Sequence, residues 1–358
     1  MNTTTQTAEL PLVYKNCRNS KLEIARTPRR NILWKFKSAL KYILPYPLKI
    51  VNYIGLQYSM IIGKFDHHFY PVILGMEVTG RCNLRCPLCP RTAQDRRPQG
   101  DMKWEDFKKI IDKLSPYLFS VRLHNYGEPM LHPLLPQMIE YVHKKGVYTN
   151  FHTNGHFLTT KNIESLLNSG LDEINIALDG MSQSTYSYYR VEGDFERVRS
   201  GVVLLCNSKK EKKLKRPRVN LQFLVMAHNE HEIPDIISFA SSVGVDRLYL
   251  KPVNINTGKD SGNISYLPKD NTFNQYLTNE YKMSKKCRRT FMETIINWDG
   301  SISICTSDHS SDYFVRGSVF YNEIDNVLFG SEFIKVKEKS YNRGLEPCKV
   351  CVDSECQI

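Results

Sequence analysis

The stretch 79-TGRCNLRCPLCPR-91 places three cysteines, Cys82, Cys86 and Cys89, in a C-x3-C-x2-C pattern. This spacing allows one loop to wrap three thiolates around a single iron–sulfur cube. A [4Fe–4S] cluster normally takes four thiolates, so one iron would keep an open coordination position. An open metal site can bind a small molecule and act on it chemically. The spacing also fits a structural zinc site whose fourth ligand is a nearby histidine or a distant cysteine.

Composition narrows the class of protein. The chain has 358 residues, which is enough for one large domain or two smaller ones. Its start, MNTTTQTAELPLVY, lacks the basic and apolar pattern of a secretory signal peptide. We therefore expect the ten cysteines to be thiols in a reducing, cytoplasmic compartment rather than disulfides. No uninterrupted apolar run reaches the length of about 18 residues that predicts a membrane-spanning helix.

The positive charge is concentrated near the start of the chain. Residues 1–68 hold eleven Lys/Arg and three Asp/Glu, which gives +8 of the total formal charge of +12. Residues 1–30 are expected to form a poorly ordered arm, and helices are expected over 31–43 and within 48–65. The favoured interpretation is a helical extension packed on the main domain, and the alternative is a peripheral contact with an anionic membrane or a partner. Nucleic-acid binding is disfavoured, because no base-reading motif accompanies the charge.

From residue 72 onward, short β-rich runs alternate with segments of helical periodicity. This alternation predicts an α/β fold, a partial (β/α)6 TIM-like barrel with helices outside a parallel sheet. The charged run 207–218 is expected to be a solvated helix end and loop on the face away from the chemistry. The strands are predicted at 72–78, 119–124, 147–152, 172–178, 219–226 and 246–252, and the helices at 103–114, 134–146, 160–170, 195–207 and 232–244.

Polar motifs follow the first four predicted strands directly. They are the cysteine loop, 124-HNYGEP-129, 152-HTNGH-156 and 178-LDG-180, and the last is followed by 188-YYRVEGDF-195. Active sites of such barrels lie at the carboxyl ends of the strands. The sequence therefore predicts that these motifs meet at one shared site.

With these motifs the chain resembles the radical S-adenosylmethionine (radical SAM) superfamily over about residues 70–255. The resemblance implies that SAM chelates the open iron through its amino and carboxylate groups. It also implies that an electron, supplied by a donor such as flavodoxin or ferredoxin, cleaves SAM to methionine and a 5′-deoxyadenosyl radical. That radical would take a hydrogen atom from the substrate.

The resemblance also implies roles for individual residues that hold SAM. Gly127 allows close backbone approach, and Glu128 accepts hydrogen bonds from the methionyl ammonium group. Asn154 and Asp179 bind ribose hydroxyls or the amino-acid end, and Arg190 binds the SAM carboxylate. No residue is identified as a catalytic base.

The chain differs from the family pattern at two positions. Many members carry a second glycine where this chain has Tyr126, and an aromatic residue where it has Leu88. Neither change removes a metal ligand, and both concern the surroundings of the adenine.

Five further cysteines lie in the C-terminal region. A β-hairpin with its turn at Asp299-Gly300 is expected to bring Cys287 and Cys305 near the later cysteines. Spacing alone fits a zinc ribbon equally well. The pattern C-x12-G-x4-C followed by C-x2-C resembles the SPASM or twitch domain of radical SAM enzymes, which implies one auxiliary [4Fe–4S] cluster. Its ligands would be Cys287, Cys305, Cys348 and Cys351, and Cys356 would be spare or would replace one of them.

These observations lead to expectations about domains and function. We expect a basic extension at 1–70, the barrel at 71–285 and the auxiliary domain at 286–358. The leading hypothesis is oxidation of a sugar-like or cyclitol-like alcohol, with the auxiliary cluster as electron acceptor. One alternative is a peptide maturase that modifies a ribosomal peptide. The other is a zinc-stabilised protein that docks on a membrane or on nucleic acid.

Overall fold

The structure is a computed structural model. It describes residues 22–25, 41–66, 68–93, 99–255, 260–277, 286–306, 315–349 and 351. Most of the helix expected at 31–43 lies outside these ranges, as do Cys17 and Cys356.

The described strands form one sheet of ten strands in the order β1-β7-β6-β5-β4-β3-β2-β8-β9-β10. All neighbours from β1 to β8 pair in parallel, and β8, β9 and β10 pair antiparallel. Among the described residues no ladder joins β1 to β10, so the barrel is open. The strands are β1 Glu23–Ala25, β2 Ile73–Met76, β3 Ser120–Arg122, β4 Tyr148–Thr153, β5 Glu173–Ala177, β6 Arg218–Val225, β7 Arg247–Pro252, β8 Glu293–Ile296, β9 Ser301–Ser303 and β10 Val315–Ser318.

Helices alternate with the strands of the barrel, as the sequence predicts. They are α1 Pro47–Ile62, α2 Pro90–Ala93, α3 Trp104–Leu114, α4 Leu135–Lys144, α5 Thr160–Asn168, α6 Gln183–Tyr189, α7 Phe195–Glu211, α8 Ile233–Val243, α9 Arg289–Met292, α10 Ile324–Leu328, α11 Ser331–Tyr341 and α12 Glu346–Lys349. The six parallel strands β2 to β7, with helices between them, confirm the predicted partial TIM-like barrel. No helix in the described part of the chain has the length and apolarity needed to cross a membrane.

The strands separate an apolar outer layer from a polar interior. Phe151, Ile174 and Ile176 are fully buried in the cluster that also contains the apolar faces of the outer helices. Because side chains alternate along a strand, the residues between them point into the barrel. There Asn220 Nδ2 donates to Asn175 Oδ1 at 3.0 Å. The interior is thus lined by hydrogen-bonding groups rather than filled with aliphatic side chains.

The N-terminal region contains a strand where the sequence suggested an unstructured arm. The segment Glu23–Ala25 pairs in parallel with β7, and Arg247 Nη2 lies 2.5 Å from Glu23 Oε2. Arg247 is buried, so the carboxylate of Glu23 neutralises a charge that would otherwise be costly. Three residues are too few to produce a periodic sequence signal.

Helix α1 packs on the main domain, but through a face that is partly polar. Leu56 and Met60 pack on the barrel and on α9, but Lys49 and Asn52 are buried beside them. Much of the helix's aliphatic surface remains exposed. The helix expected within 48–65 thus packs on the main domain and leaves much of its apolar surface uncovered.

The C-terminal hairpin forms where predicted. Strands β8 and β9 pair antiparallel around Asp299-Gly300, and Gly300 has a φ of +82° that suits glycine. Strand β8 also pairs in parallel with β2, in the register Gly75↔Ile295. The hairpin therefore continues the barrel sheet.

Candidate active site

The three cysteines of the first loop lie at the carboxyl end of β2. The loop is folded tightly, since Cys89 N–H donates to Cys86 O at 3.0 Å and Arg85 N–H donates to Val191 O at 3.1 Å. All three thiols are free of disulfides. Burial raises the pKa of each thiol, and it raises that of Cys89 to about 12. Thiolates are thus stable here only with added positive charge, which cluster irons supply.

The donor set fits an iron–sulfur cube better than one zinc ion. Within the described ranges, no three His, Cys, Asp or Glu side chains are arranged to share a single metal ion. A [4Fe–4S] cluster does not require that arrangement, because each thiolate binds a separate iron. His68, a nearby histidine that a zinc site could use as its fourth ligand, contacts the ring of Phe329, with ring centroids 5.3 Å apart.

Glu128 joins the loops that follow β3 and β4. Its Oε1 accepts hydrogen bonds from Thr153 Oγ1 at 2.7 Å and from Met130 N–H at 3.0 Å, and its Oε2 accepts from Asn154 N–H at 2.7 Å. Burial raises the pKa of Glu128, and the donated hydrogen bonds oppose that rise. About four acceptor positions exist on a carboxylate, so roughly one is left for a ligand. Contact with the SAM ammonium group stays a prediction.

Asn154 reaches from the loop after β4 to the cysteine loop. Its Nδ2 donates to Asn83 Oδ1 at 2.8 Å and lies 4.0 Å from Cys82 Sγ. Its Oδ1 accepts from His156 N–H at 3.1 Å. The side chain therefore stands at the edge of the cysteine loop with its orientation fixed at both ends.

Gly127 is packed against the cysteine loop. A Cβ atom added to it would lie 1.8 Å from the carbonyl oxygen of Thr79. The next residue, Glu128, donates its N–H to Arg81 O at 2.8 Å. The close backbone approach at this glycine is thus made to the protein's own loop, and a contact with SAM stays a prediction.

Buried Asp179 and partly buried Arg190 form an ion pair that points at Cys86. Arg190 Nε donates to Asp179 Oδ2 at 2.6 Å, and Arg190 Nη1 lies 3.7 Å from Cys86 Sγ. Asp179 Oδ1 accepts from Leu224 N–H at 2.7 Å. Asp179 therefore orients Arg190, a role that the sequence does not reveal. The expected contacts of Asp179 with ribose and of Arg190 with the SAM carboxylate stay predictions.

Two histidines that sequence analysis did not single out lie in the polar interior. The rings of His124 and His152 stack with centroids 4.3 Å apart, and His152 N–H donates to His124 Nδ1 at 3.2 Å. Burial, His152 and the cations Arg122 and Lys251 hold the pKa of His124 well below its usual range. A neutral ring that accepts at Nδ1 carries its proton on Nε2. Their place in the sequence could have identified them as site residues, because each begins a motif that follows a strand.

In the C-terminal region, three of the proposed ligands share one neighbourhood. Cys287 N–H donates to Tyr341 O at 2.8 Å, and Cys348 Sγ lies 3.6 Å from Ser340 Oγ on the same helix end. Burial raises the pKa of Cys348, and the nearby thiols of Cys287 and Cys351 raise it further. Cys305 lies two residues beyond β9, where its N–H donates to Ser303 Oγ at 3.3 Å.

Direct contacts connect the two cysteine regions. Tyr126, in the loop that carries Gly127, donates its hydroxyl to Thr306 O at 2.6 Å, next to Cys305. Trp298 covers Gly80, where an added Cβ would lie 2.5 Å from Nε1 of the indole. Tyr126, one of the two positions at which the sequence differs from the expected family pattern, therefore bridges the barrel to the C-terminal domain.

Comparison with known families agrees with this architecture. Residues 76–240 match the family model of the radical SAM superfamily, and residues 287–352 match SPASM, an iron–sulfur cluster-binding domain. The two matches together span more than half of the chain.

Curated relatives share about a quarter of their residues with this chain. The cofactor-modifying protein of the tungsten-containing aldehyde ferredoxin oxidoreductase of Pyrococcus furiosus is 26% identical over 293 residues, which is 75% of this chain and 78% of that protein. The Fe-coproporphyrin III synthase of Methanosarcina barkeri is 27% identical over 185 residues, which is 52% of this chain but 44% of the synthase. The PqqA peptide cyclase of Bradyrhizobium diazoefficiens is 26% identical over 179 residues, 50% of this chain and 45% of the cyclase.

Solved structures share the fold. Streptococcus suis SuiB bound to its precursor peptide SuiA superposes with a TM-score of 0.62 at 13% identity, covering 84% of this chain and 79% of SuiB. BtrN in complex with AdoMet and 2-DOIA gives 0.52 at 16% identity, covering 81% of this chain and 96% of BtrN. The family matches also identify the cofactors, which are a SAM-binding [4Fe–4S] cluster, SAM itself and auxiliary iron–sulfur. The chain belongs to the radical SAM superfamily and carries a C-terminal SPASM domain.

Proposed function

We propose that this protein oxidises an alcohol on a small polar molecule and passes one electron to an auxiliary [4Fe–4S] cluster. When bound, SAM and the first cluster would supply the oxidant that removes a hydrogen atom from the alcohol carbon, and the auxiliary cluster would accept the remaining electron as the hydroxyl proton leaves, so that the alcohol becomes a carbonyl. The observation that carries this proposal is the contact between Tyr126 and Thr306. It joins the strand-end loop of the site to the residue beside Cys305.

Two separate sets of cysteines would hold the two clusters. Cys82, Cys86 and Cys89 would hold the first cluster, with Arg190 donating toward Cys86. Cys287, Cys305, Cys348 and Cys351 would hold the second. The matched segments 76–240 and 287–352 support domain limits at 71–285 and 286–358. A reduced flavodoxin or ferredoxin would supply the electron that starts the reaction.

The interior of the barrel favours a polar substrate. Stacked His124 and His152 lie near the cationic side chains of Arg122 and Lys251. Hydroxyl groups can accept from a histidine Nε2–H or a lysine ammonium group and donate to a neutral imidazole. A sugar or cyclitol satisfies these groups with several hydroxyls.

A peptide substrate is the second candidate. It is supported by the sequence relative PqqA peptide cyclase, which is named for a peptide reaction. A peptide would enter the same interior as an extended segment and present a side-chain or Cα hydrogen. Pulldown of peptides encoded by small open reading frames near the gene would favour this candidate over the first.

The test begins with metal content after anaerobic purification and reconstitution. Two [4Fe–4S] clusters give about eight irons and eight sulfides per chain, and Cys348→Ala is expected to lower both by about half while SAM cleavage continues. Cys206→Ala is the matched control, because Cys206 is a buried core thiol on α7 and lies in neither cysteine region.

Product analysis then tests the reaction itself. Anaerobic incubation with sugars and cyclitols is expected to yield 5′-deoxyadenosine together with an oxidised product. Formation of 5′-deoxyadenosine without any oxidised sugar or cyclitol would count against alcohol oxidation. An iron content of only about four per chain would remove the proposed electron acceptor.

A further inference from the structure

Helix α1 presents an aliphatic stripe to the outside and polar residues to the inside. Val51, Ile54, Tyr58 and Ile61 are 61%, 62%, 63% and 80% exposed. Their spacing of three and four residues places them on one face of the helix. Leu48 continues the stripe toward the start of the helix and is also exposed. This arrangement is the reverse of an ordinary surface helix, whose apolar face is buried.

The inner face fixes the helix in this orientation. Buried Lys49 donates from Nζ to Gly146 O at 2.8 Å and to Tyr42 O at 3.0 Å. Asn52 exchanges two hydrogen bonds with the backbone of Tyr70, at 2.8 and 2.9 Å. Rotating the helix to bury its aliphatic stripe would break these bonds and expose the packed side chain of Leu56. The exposed stripe is therefore a stable feature of the fold.

The sequence that flanks the stripe is positively charged. Residues 26–65 contain eight Lys/Arg and no Asp/Glu, and α1 itself carries no charge on its exposed face. A second basic segment joins it, because Arg216 hydrogen-bonds Tyr42 just before α1. The loop that ends in Arg216 exposes Lys212, Lys213 and Lys215.

We propose that α1 docks this protein on the surface of an anionic lipid bilayer. The aliphatic stripe would lie among the acyl-chain ends, tyrosines such as Tyr58 at the headgroup level, and the basic segments against the lipid phosphates. The helix has 16 residues, about 24 Å at 1.5 Å per residue, which is shorter than the hydrocarbon core of about 30 Å. Its length therefore suits a position along the surface rather than across it.

Charge argues for lipid over a second copy of the chain. A symmetric dimer through α1 would bring two identical basic segments together, and like charges repel across an interface. An anionic bilayer supplies both the apolar layer and the opposite charge. Lys49 of α1 donates to Gly146, which lies just before β4. Tyr42 donates to Asp172, which lies just before β5. The docking face is thus at the amino ends of the strands, and the catalytic loops would face away from the lipid.

Vesicle flotation of the reconstituted full-length protein tests this proposal. We expect the protein to float with vesicles of phosphatidylcholine containing phosphatidylglycerol and to bind far less to phosphatidylcholine alone. The variant Ile54→Ser/Ile61→Ser is expected to lower the partition coefficient at least about tenfold, because each aliphatic side chain that leaves an apolar layer changes the equilibrium by about that factor. Lys212→Glu/Lys213→Glu/Lys215→Glu is expected to weaken binding to the anionic vesicles, with a reduced salt dependence.

Leu277→Ser is the matched control, because Leu277 is an equally exposed aliphatic residue far along the chain from α1. It is expected to bind vesicles like the wild type. Iron content and 5′-deoxyadenosine formation should be unchanged in all variants, which shows that they are folded. Absence of wild-type flotation, or flotation unaffected by Ile54→Ser/Ile61→Ser, would overturn the proposal. A wild-type dimer that becomes monomeric in that variant without lipid would assign the stripe to a second copy instead.

Discussion

Replacing Gly127 with alanine should dismantle the first cluster site while leaving the barrel folded. The new Cβ would lie 1.8 Å from Thr79 O. Real Cβ atoms essentially never approach another heavy atom more closely than 3.0 Å, so this distance would have to grow by about 1.2 Å. The obstacle is backbone on both sides, so no side-chain rotation relieves it. The cysteine loop must move, because it is held to the Gly127 loop by the hydrogen bond from Glu128 N–H to Arg81 O.

The expected size of the effect follows from that displacement. Overpacking of this kind costs about 1–3 kcal/mol in folding stability. A misplacement of about 1 Å at a reacting centre costs about 100-fold in rate. We therefore expect Gly127→Ala to form 5′-deoxyadenosine about 100-fold more slowly and to lose up to about half of its iron, while the far-ultraviolet circular dichroism stays that of the wild type.

The measurements are iron and sulfide per chain and the initial rate of 5′-deoxyadenosine formation at saturating SAM. Gly244→Ala provides the control. Gly244 ends α8 with a φ of +79° and has no atom within 4 Å of the added Cβ, so alanine there costs backbone strain without moving a loop of the site. If Gly127→Ala kept its iron and its rate, the close contact with Thr79 would not position the cysteines.

Three further perturbations test other contacts. Arg190→Lys should raise the KM for SAM and slow 5′-deoxyadenosine formation about tenfold, because lysine lacks the planar guanidinium that reaches from Asp179 toward Cys86. Unchanged kinetics across a SAM titration would contradict this. Tyr126→Phe leaves the Thr306 carbonyl without its donor, so 5′-deoxyadenosine should accumulate with less oxidised product, and an unaltered product ratio would argue against a link between the two clusters. His124 is neutral in the folded protein and takes up a proton on unfolding below about pH 6.5, so its contribution to stability is present above that pH and is lost as the pH falls. His124→Asn should therefore reduce the decline of the urea-unfolding free energy between pH 7 and pH 5 by up to about 1.4 kcal/mol per pH unit. Equal slopes in the variant and the wild type would refute this role of His124.

Sequence patterns located the barrel and its strand-end motifs, because both depend on local periodicity and spacing. The predicted strand at 147–152 is β4 Tyr148–Thr153, and the predicted helix at 103–114 is α3 Trp104–Leu114. The hairpin turn at Asp299-Gly300 follows from turn chemistry alone. These elements are specified by residues that are neighbours in the sequence.

Long-range contacts were beyond reach of the sequence. Asp179 is occupied by Arg190 and by the N–H of Leu224, and Gly127 is packed on Thr79, yet neither relation leaves a periodic signal. The sequence also does not predict which face of α1 packs on the domain. The polar residues of α1 are satisfied by backbone groups of distant segments, as Lys49 is by Gly146 O. An amphipathic pattern identifies two faces but does not tell which one the rest of the chain will cover.

The pairing of β8 with β2 bears on how this chain is synthesised and how it can be divided. Until the ribosome has made Glu293–Ile296, the edge of β2 lacks the neighbour that β8 later provides. Contacts between such distant segments form slowly, and an open strand edge invites pairing with other nascent chains. A fragment cut at residue 286 would retain that open edge permanently, so the auxiliary domain is not a removable cassette. A chimera that borrows it must also reproduce the register that places Gly75 opposite Ile295.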